Sequence, residues 1–188
     1  MSKRLLTIFL ATTLAAVLAM AAAAVADPVT GGKSKLAFDQ DTGEGFADMG
    51  IGITTTGAAR TSQGNFKFPI KGGDVNEGPK GEIDHKGGIA FFSEGDTGTG
   101  SVKFTQFIVK LGADKAKLFA KSDHAAVRLF DLDLSSATIS GSAGVNLKIK
   151  DADTSLAKDG AAVLSDTFDF PFHKGTPIGL MTIKATVG

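Results

Sequence analysis

Cysteine, tyrosine and tryptophan are all absent from this chain of 188 residues. Without cysteine there is no disulfide framework, no thiolate ligand and no thiol nucleophile, so the fold must rest on its core and its hydrogen bonds. The missing tyrosine removes phenolate as a metal ligand. With tryptophan also missing, the chain lacks the rings that combine an apolar body with a polar tip, which sugar sites favour. Phenylalanine carries the whole aromatic content, with 14 residues. An excess of one charge is lacking too. The 20 basic residues face 20 acidic ones, and such a chain has no global basic footprint for nucleic acid.

Histidine is scarce, and its three copies, His85, His124 and His173, stand far apart. None belongs to an HExxH pair, so no metal site is expected. A Gly-x-Ser-x-Gly elbow is missing, and no glycine-rich loop joins a strand to a long helix, so neither a hydrolase nucleophile nor a phosphate cradle is expected. Asp131 and Asp133 share one face of a strand, as paired glycosidase carboxylates would, but their even spacing reads more simply as the solvent face of an amphipathic strand. No catalytic residue is assigned.

What is present begins with a leader. Lys3 and Arg4 precede an apolar run over residues 5–20, and Ala24-Val25-Ala26 stands before Asp27-Pro28. This is the pattern of a secretory signal cleaved after Ala26. Two basic and no acidic residues leave with it, which takes the formal charge from 0 to −2. The expected product is secreted or held at the cell envelope, and it meets the membrane only through the leader before cleavage. Residues 27–34, rich in glycine, proline and serine, read as a flexible lead-in. Residues 35–188 read as one domain.

Within that domain the dominant period is two. Residues 81–92, GEIDHKGGIAFF, put Ile83 and His85 on one face against Glu82, Asp84 and Lys86, and Gly87-Gly88 can bend or bulge the strand. His85 therefore points inward. It is the candidate cofactor-binding residue, weighed against a buried histidine bonded to a backbone carbonyl. His124 falls in a polar loop, and His173 lies beside Phe172 at the edge of the core.

Phe66, Phe68 and Ile70 share a face of a strand that Pro69 confines to an edge or a bulge, and residues 71–81 read as a turn region. Over residues 101–111 the apolar face slips by one near Thr105-Gln106, which predicts a bulge or a strand covered on both sides. Further strands are expected at residues 51–53, 115–121, 126–134 and 145–150, with a last one in which Met181, Ile183, Ala185 and Val187 share a face. Two short helices are expected. One spans residues 39–50, capped by Asp41 or Thr42 and ended by Gly50. The other spans residues 156–168, capped by Thr154 or Ser155, with Gly160 costing about 1 kcal/mol relative to alanine. The fold class is mainly β: an antiparallel β-sandwich or flattened barrel of about nine to eleven strands.

The order of three motifs carries a family resemblance: FPIKGG at residues 68–73, GEIDHKGGI at 81–89 and LFDLDL at 129–134, followed by AAVL at 161–164 and GTPIG at 175–179. In this order the chain resembles the HtaA-like domains of secreted actinobacterial proteins, over nearly all of residues 35–188. The resemblance implies a β-rich extracellular domain that binds haem at the cell surface, with a tyrosine as iron ligand and a histidine supporting it. This chain has no tyrosine, so that ligand does not carry over, and His85 is the counterpart of the supporting histidine. Haem through His85 or through a phenylalanine-lined cleft is one expectation for a non-enzymatic binding domain. The other is a structural or interaction module that contacts envelope components and holds no small molecule.

Overall fold

The computed structural model describes residues 26–62, 64–76, 80–93, 100–123, 125–141 and 146–188. The leader up to residue 25 and His124 lie outside the described residues.

Among the described residues, twelve strands and two helices make up the domain. The strands are β1 Asp27–Phe38, β2 Ile51–Thr56, β3 Arg60–Ser62, β4 Asn65–Asn76, β5 Lys80–His85, β6 Gly88–Ser93, β7 Ser101–Leu111, β8 Lys115–Lys121, β9 Ala126–Asp133, β10 Thr138–Ser140, β11 Leu147–Leu156 and β12 Pro177–Val187. The helices are α1 Gln40–Asp48 and α2 Lys158–Phe168. Eight strands run in the order β7-β5-β4-β1-β12-β11-β9-β8, and pairing of β7 with β8 closes them into a barrel. Every pairing is antiparallel. Closure removes the exposed edges that a sandwich of this length would carry. The expected β-rich architecture is therefore realised as a barrel, with one strand more than the expected upper count.

Two of the strands are very short. β3 pairs with β4 and β10 with β11, each over three residues, which is too little for a period to declare itself. β1 begins at Asp27, within the stretch expected as a lead-in. β4 continues to Asn76 through most of the expected turn region, and Pro69 lies just before its register shift at Ile70/Gly72. β11 likewise runs on past Lys150, because Asp151, at φ 59°, absorbs a bulge between Ile149 and Ala152.

β5 and β6 behave as one strand broken at Lys86-Gly87, because both pair with β7, at residues 108–111 and 101–105. The break faces Gln106, which sits at φ 52° where β7 shifts register, so the predicted slip in period is a bulge. Gly87, at φ 82°, takes the left-handed conformation that the kink needs. A Cβ on Gly88 would collide with the Phe104 carbonyl of β7.

Alternate residues of the barrel strands fill its interior. Leu36, Phe68, Ile83, Phe107, Val109, Phe130, Ile149 and Ile183 are all at most 1% exposed. α2 covers the far side of β9, which is why Leu129 and Phe130, neighbours on opposite faces, are both fully buried. Its first turn starts later than expected: Leu156 ends β11, and Ala157 rather than Thr154 or Ser155 is the N-cap residue. α1 is preceded by Asp39 in place of Asp41 or Thr42, and Thr42 instead donates to the Pro177 carbonyl at 2.9 Å.

Candidate functional site

His85 closes β5 with its ring inside the barrel, 5% exposed. Nδ1 stands 3.3 Å from the Phe107 carbonyl, which can only accept, so Nδ1 carries the proton and donates. Nε2 then accepts from the Ser34 hydroxyl at 2.7 Å. Both ring nitrogens are thus engaged, and the imidazole is neutral. Burial pushes its pKa down from 6.5 to about 4, while hydrogen bonding to the Phe107 and Ile83 backbone opposes the shift. The triad ties β1, β5 and β7 together across the strand that separates β1 from β5. Ser34 is the member that the sequence reading missed. Its parity with Leu36, between the outward Lys33 and Lys35, was the available signal, but nothing local links it to a histidine 51 residues away.

A different place offers open space. A cleft of about 640 Å³ lies between α1 and the segment joining α2 to β12. Its apolar wall is made by Phe46, Met49, Phe170 and Phe172, its rim carries Asp39 and Asp41, and His173 stands on the lining. Phe46, 3% exposed, stacks on Phe172 with ring centroids 5.6 Å apart and also meets Phe91 at 5.5 Å, so the wall is continuous with the core. Phe170, at 44%, is the most exposed large apolar side chain among the described residues. Phe172 is held by its backbone N–H, which donates to Ser165 Oγ of α2 at 2.9 Å. The His173 carbonyl accepts from the Thr176 hydroxyl at 2.8 Å. The backbone on either side is therefore fixed while the imidazole of His173 stays exposed.

Asp131 and Asp133 both border a shallow cleft with Lys115, Lys117, Arg128 and Lys174. Asp131 is paired with Arg128. Asp133 accepts from the backbone N–H of Ser135 at 2.9 Å. Hydrogen bonding from Ser135 holds the Asp133 carboxyl below the usual carboxylate range. A glycosidase acid needs the reverse, a carboxyl kept protonated. Among the described residues no group of three or more acidic or histidine side chains is placed to hold a metal ion.

The chain matches the family model HtaA, described as Htaa, over residues 33–172. No curated protein sequence matches it. Among solved structures, the C-terminal domain of HtaA from Corynebacterium glutamicum shares its fold with a TM-score of 0.68 at 18% identity, the match covering 86% of this chain and 99% of that domain. The N-terminal domain of the same protein gives 0.66 at 16% identity, covering 85% and 98%. A haem-binding protein of the same organism, HtaB, gives 0.59 at 14% identity, covering 87% and 96%. At these identities the structures speak for the barrel alone, whereas the family match spans most of the chain. With its motif order, its barrel and that match in agreement, the chain belongs to the HtaA domain family.

Proposed function

We propose that this chain is an exported, non-enzymatic binding domain that takes a haem-like planar ligand in the cleft beside α1, where His173 would be the residue that ligates its iron. The single observation that carries this reading is the composition of the cleft: a wall of three phenylalanines and a methionine next to an exposed imidazole. Export rests on the leader pattern, and haem as the ligand class on kinship with a family that includes haem-binding relatives. Haem, when bound, supplies an iron that accepts imidazole or thioether ligands together with a broad apolar face. His173 and Met49 are the donors of those two kinds on the lining.

His85 has another task in this reading. To bind iron through Nε2 it would have to surrender the Ser34 hydrogen bond inside a filled barrel, so its role is to fix three strands. One observation favours the rival reading, an envelope module without a small ligand. The histidine that the family resemblance points to is fully satisfied by protein groups.

Titration of the purified domain with haemin separates these readings. A red-shifted Soret band is expected in the wild type. It should weaken by about ten-fold in affinity in His173→Ala, which corresponds to roughly 1.4 kcal/mol, and persist in His85→Gln. An absent shift, or a shift unchanged by His173→Ala, would overturn the proposed site.

A further inference from the structure

On the outside of the barrel, away from the α1 cleft, lysines gather in a way that the neutral composition does not foretell. Lys33 and Lys35 of β1, Lys67 of β4, Lys148 and Lys150 of β11 and Lys184 of β12 line one groove of about 320 Å³, in which Asp151 is the sole acidic residue. The pairing register explains the gathering. Lys33 stands opposite Lys184, and Lys184 opposite Lys148. Lys35 stands opposite Lys67, and Lys67 opposite Arg60. Two cross-strand rows of cations result, with about 4.8 Å between strands and two residues, or about 7 Å, between rows.

Like charges placed directly opposite one another destabilise a sheet, and little here offsets them. Asp151 engages Lys150 at 3.2 Å. Among the described residues, Lys33, Lys35, Lys67, Lys148 and Lys184 make no salt bridge. A second hollow shares Lys33, Lys148 and Lys184 and continues past Gly32 and Thr186. The groove is therefore a trough that follows β1 and β12 rather than an isolated dent.

We propose that this trough binds a linear polyanion, a flexible chain of phosphate groups laid along β1 and β12. Lysine ammonium groups act as point charges and suit phosphate oxygens in varied orientations, whereas planar carboxylates are better served by arginine forks. Arg60, at the end of one row, has its Nη1 engaged by the carbonyls of Gly57 and Ala59 at 2.9 and 2.8 Å. A recessed trough fits a chain better than a flat bilayer. Among the described residues, Leu180, 38% exposed and two residues from Thr182 on β12, is the one exposed large apolar side chain near it that could enter lipid. The proposal is independent of any haem site.

The test uses the full domain after leader removal and end-labelled inorganic polyphosphate. Binding is expected to weaken steeply with salt, by a log–log slope of about −0.7 for each lysine engaged. The triple variant Lys33→Gln, Lys148→Gln, Lys184→Gln should lose about ten-fold or more in affinity at ~0.1 M salt and flatten that slope by about 2. Its thermal midpoint should not fall, since the change relieves repulsion. A control triple on other surfaces, Lys103→Gln, Lys115→Gln, Lys117→Gln, should bind as the wild type does. Absence of polyphosphate binding, equal loss in the two triples, or binding to anionic phospholipid vesicles without polyphosphate binding would each overturn the proposal.

Discussion

Inside the barrel the Ser34 hydroxyl donates to a neutral imidazole that solvent barely reaches, and this fixes how the fold must respond to acid. His85 takes a proton near pH 6.5 when unfolded but only near pH 4 when folded. As pH falls between those values the unfolded chain gains a proton that the native chain refuses, so stability present above about 6.5 drains away toward 4. The full loss is about 3 kcal/mol. Urea unfolding at pH 7.5 and pH 4.5 should show this loss in the wild type, and His85→Gln should show a clearly smaller one. Parallel losses in both proteins would mean that other groups carry the acid response. The inward aim of His85 was legible from its parity with Ile83. Its partners were not, since Ser34 and Phe107 come from strands that only the closed sheet brings within reach.

Between residue and domain, α2 shows local propensity yielding to packing. In isolation Gly160 weakens α2 by about 1 kcal/mol. In the fold a Cβ there would sit 2.6 Å from the Leu129 carbonyl and 3.0 Å from a Leu129 methyl, so glycine lets α2 lie directly on β9. Gly160→Ala should therefore destabilise, with an overpacking cost of about 1–3 kcal/mol exceeding the helix gain. At the other end of α2, Asp169 holds a left-handed conformation, φ 51°, where glycine is at ease. Asp169→Gly should raise stability by about 0.5–1 kcal/mol. Denaturation midpoints of the two variants should move in opposite directions, and a common direction would refute the packing account. A slip of one residue, which reverses the apolar face, disclosed the Gln106 bulge, and the Gly87-Gly88 pair disclosed the kink. The start of α2 was hidden, because Leu156 and Ala157 suit a buried strand end as well as a helical stripe.

At the scale of the molecule, closure decides what the sequence could and could not reveal. A barrel and a sandwich have the same strand periods, and the ring here also needs β1, near one end of the described chain, to pair with β12 at the other, a contact that leaves no local mark. The same holds for the candidate site. The sequence puts Phe46 and Met49 in a helical stretch and Phe172 and His173 at the core edge, but only the tertiary fold sets these distant stretches on one cleft. The lysine trough was hidden for a further reason: a formal charge of 0 over the chain conceals where the cations stand. The central claim is that the ligand enters beside α1 and not at His85. Amide chemical-shift mapping with a diamagnetic gallium porphyrin tests this most directly. The account predicts perturbations concentrated in residues 39–49 and 170–177, with Ser34, His85 and Phe107 unmoved; perturbations centred on those three residues, with the α1 cleft silent, would contradict it.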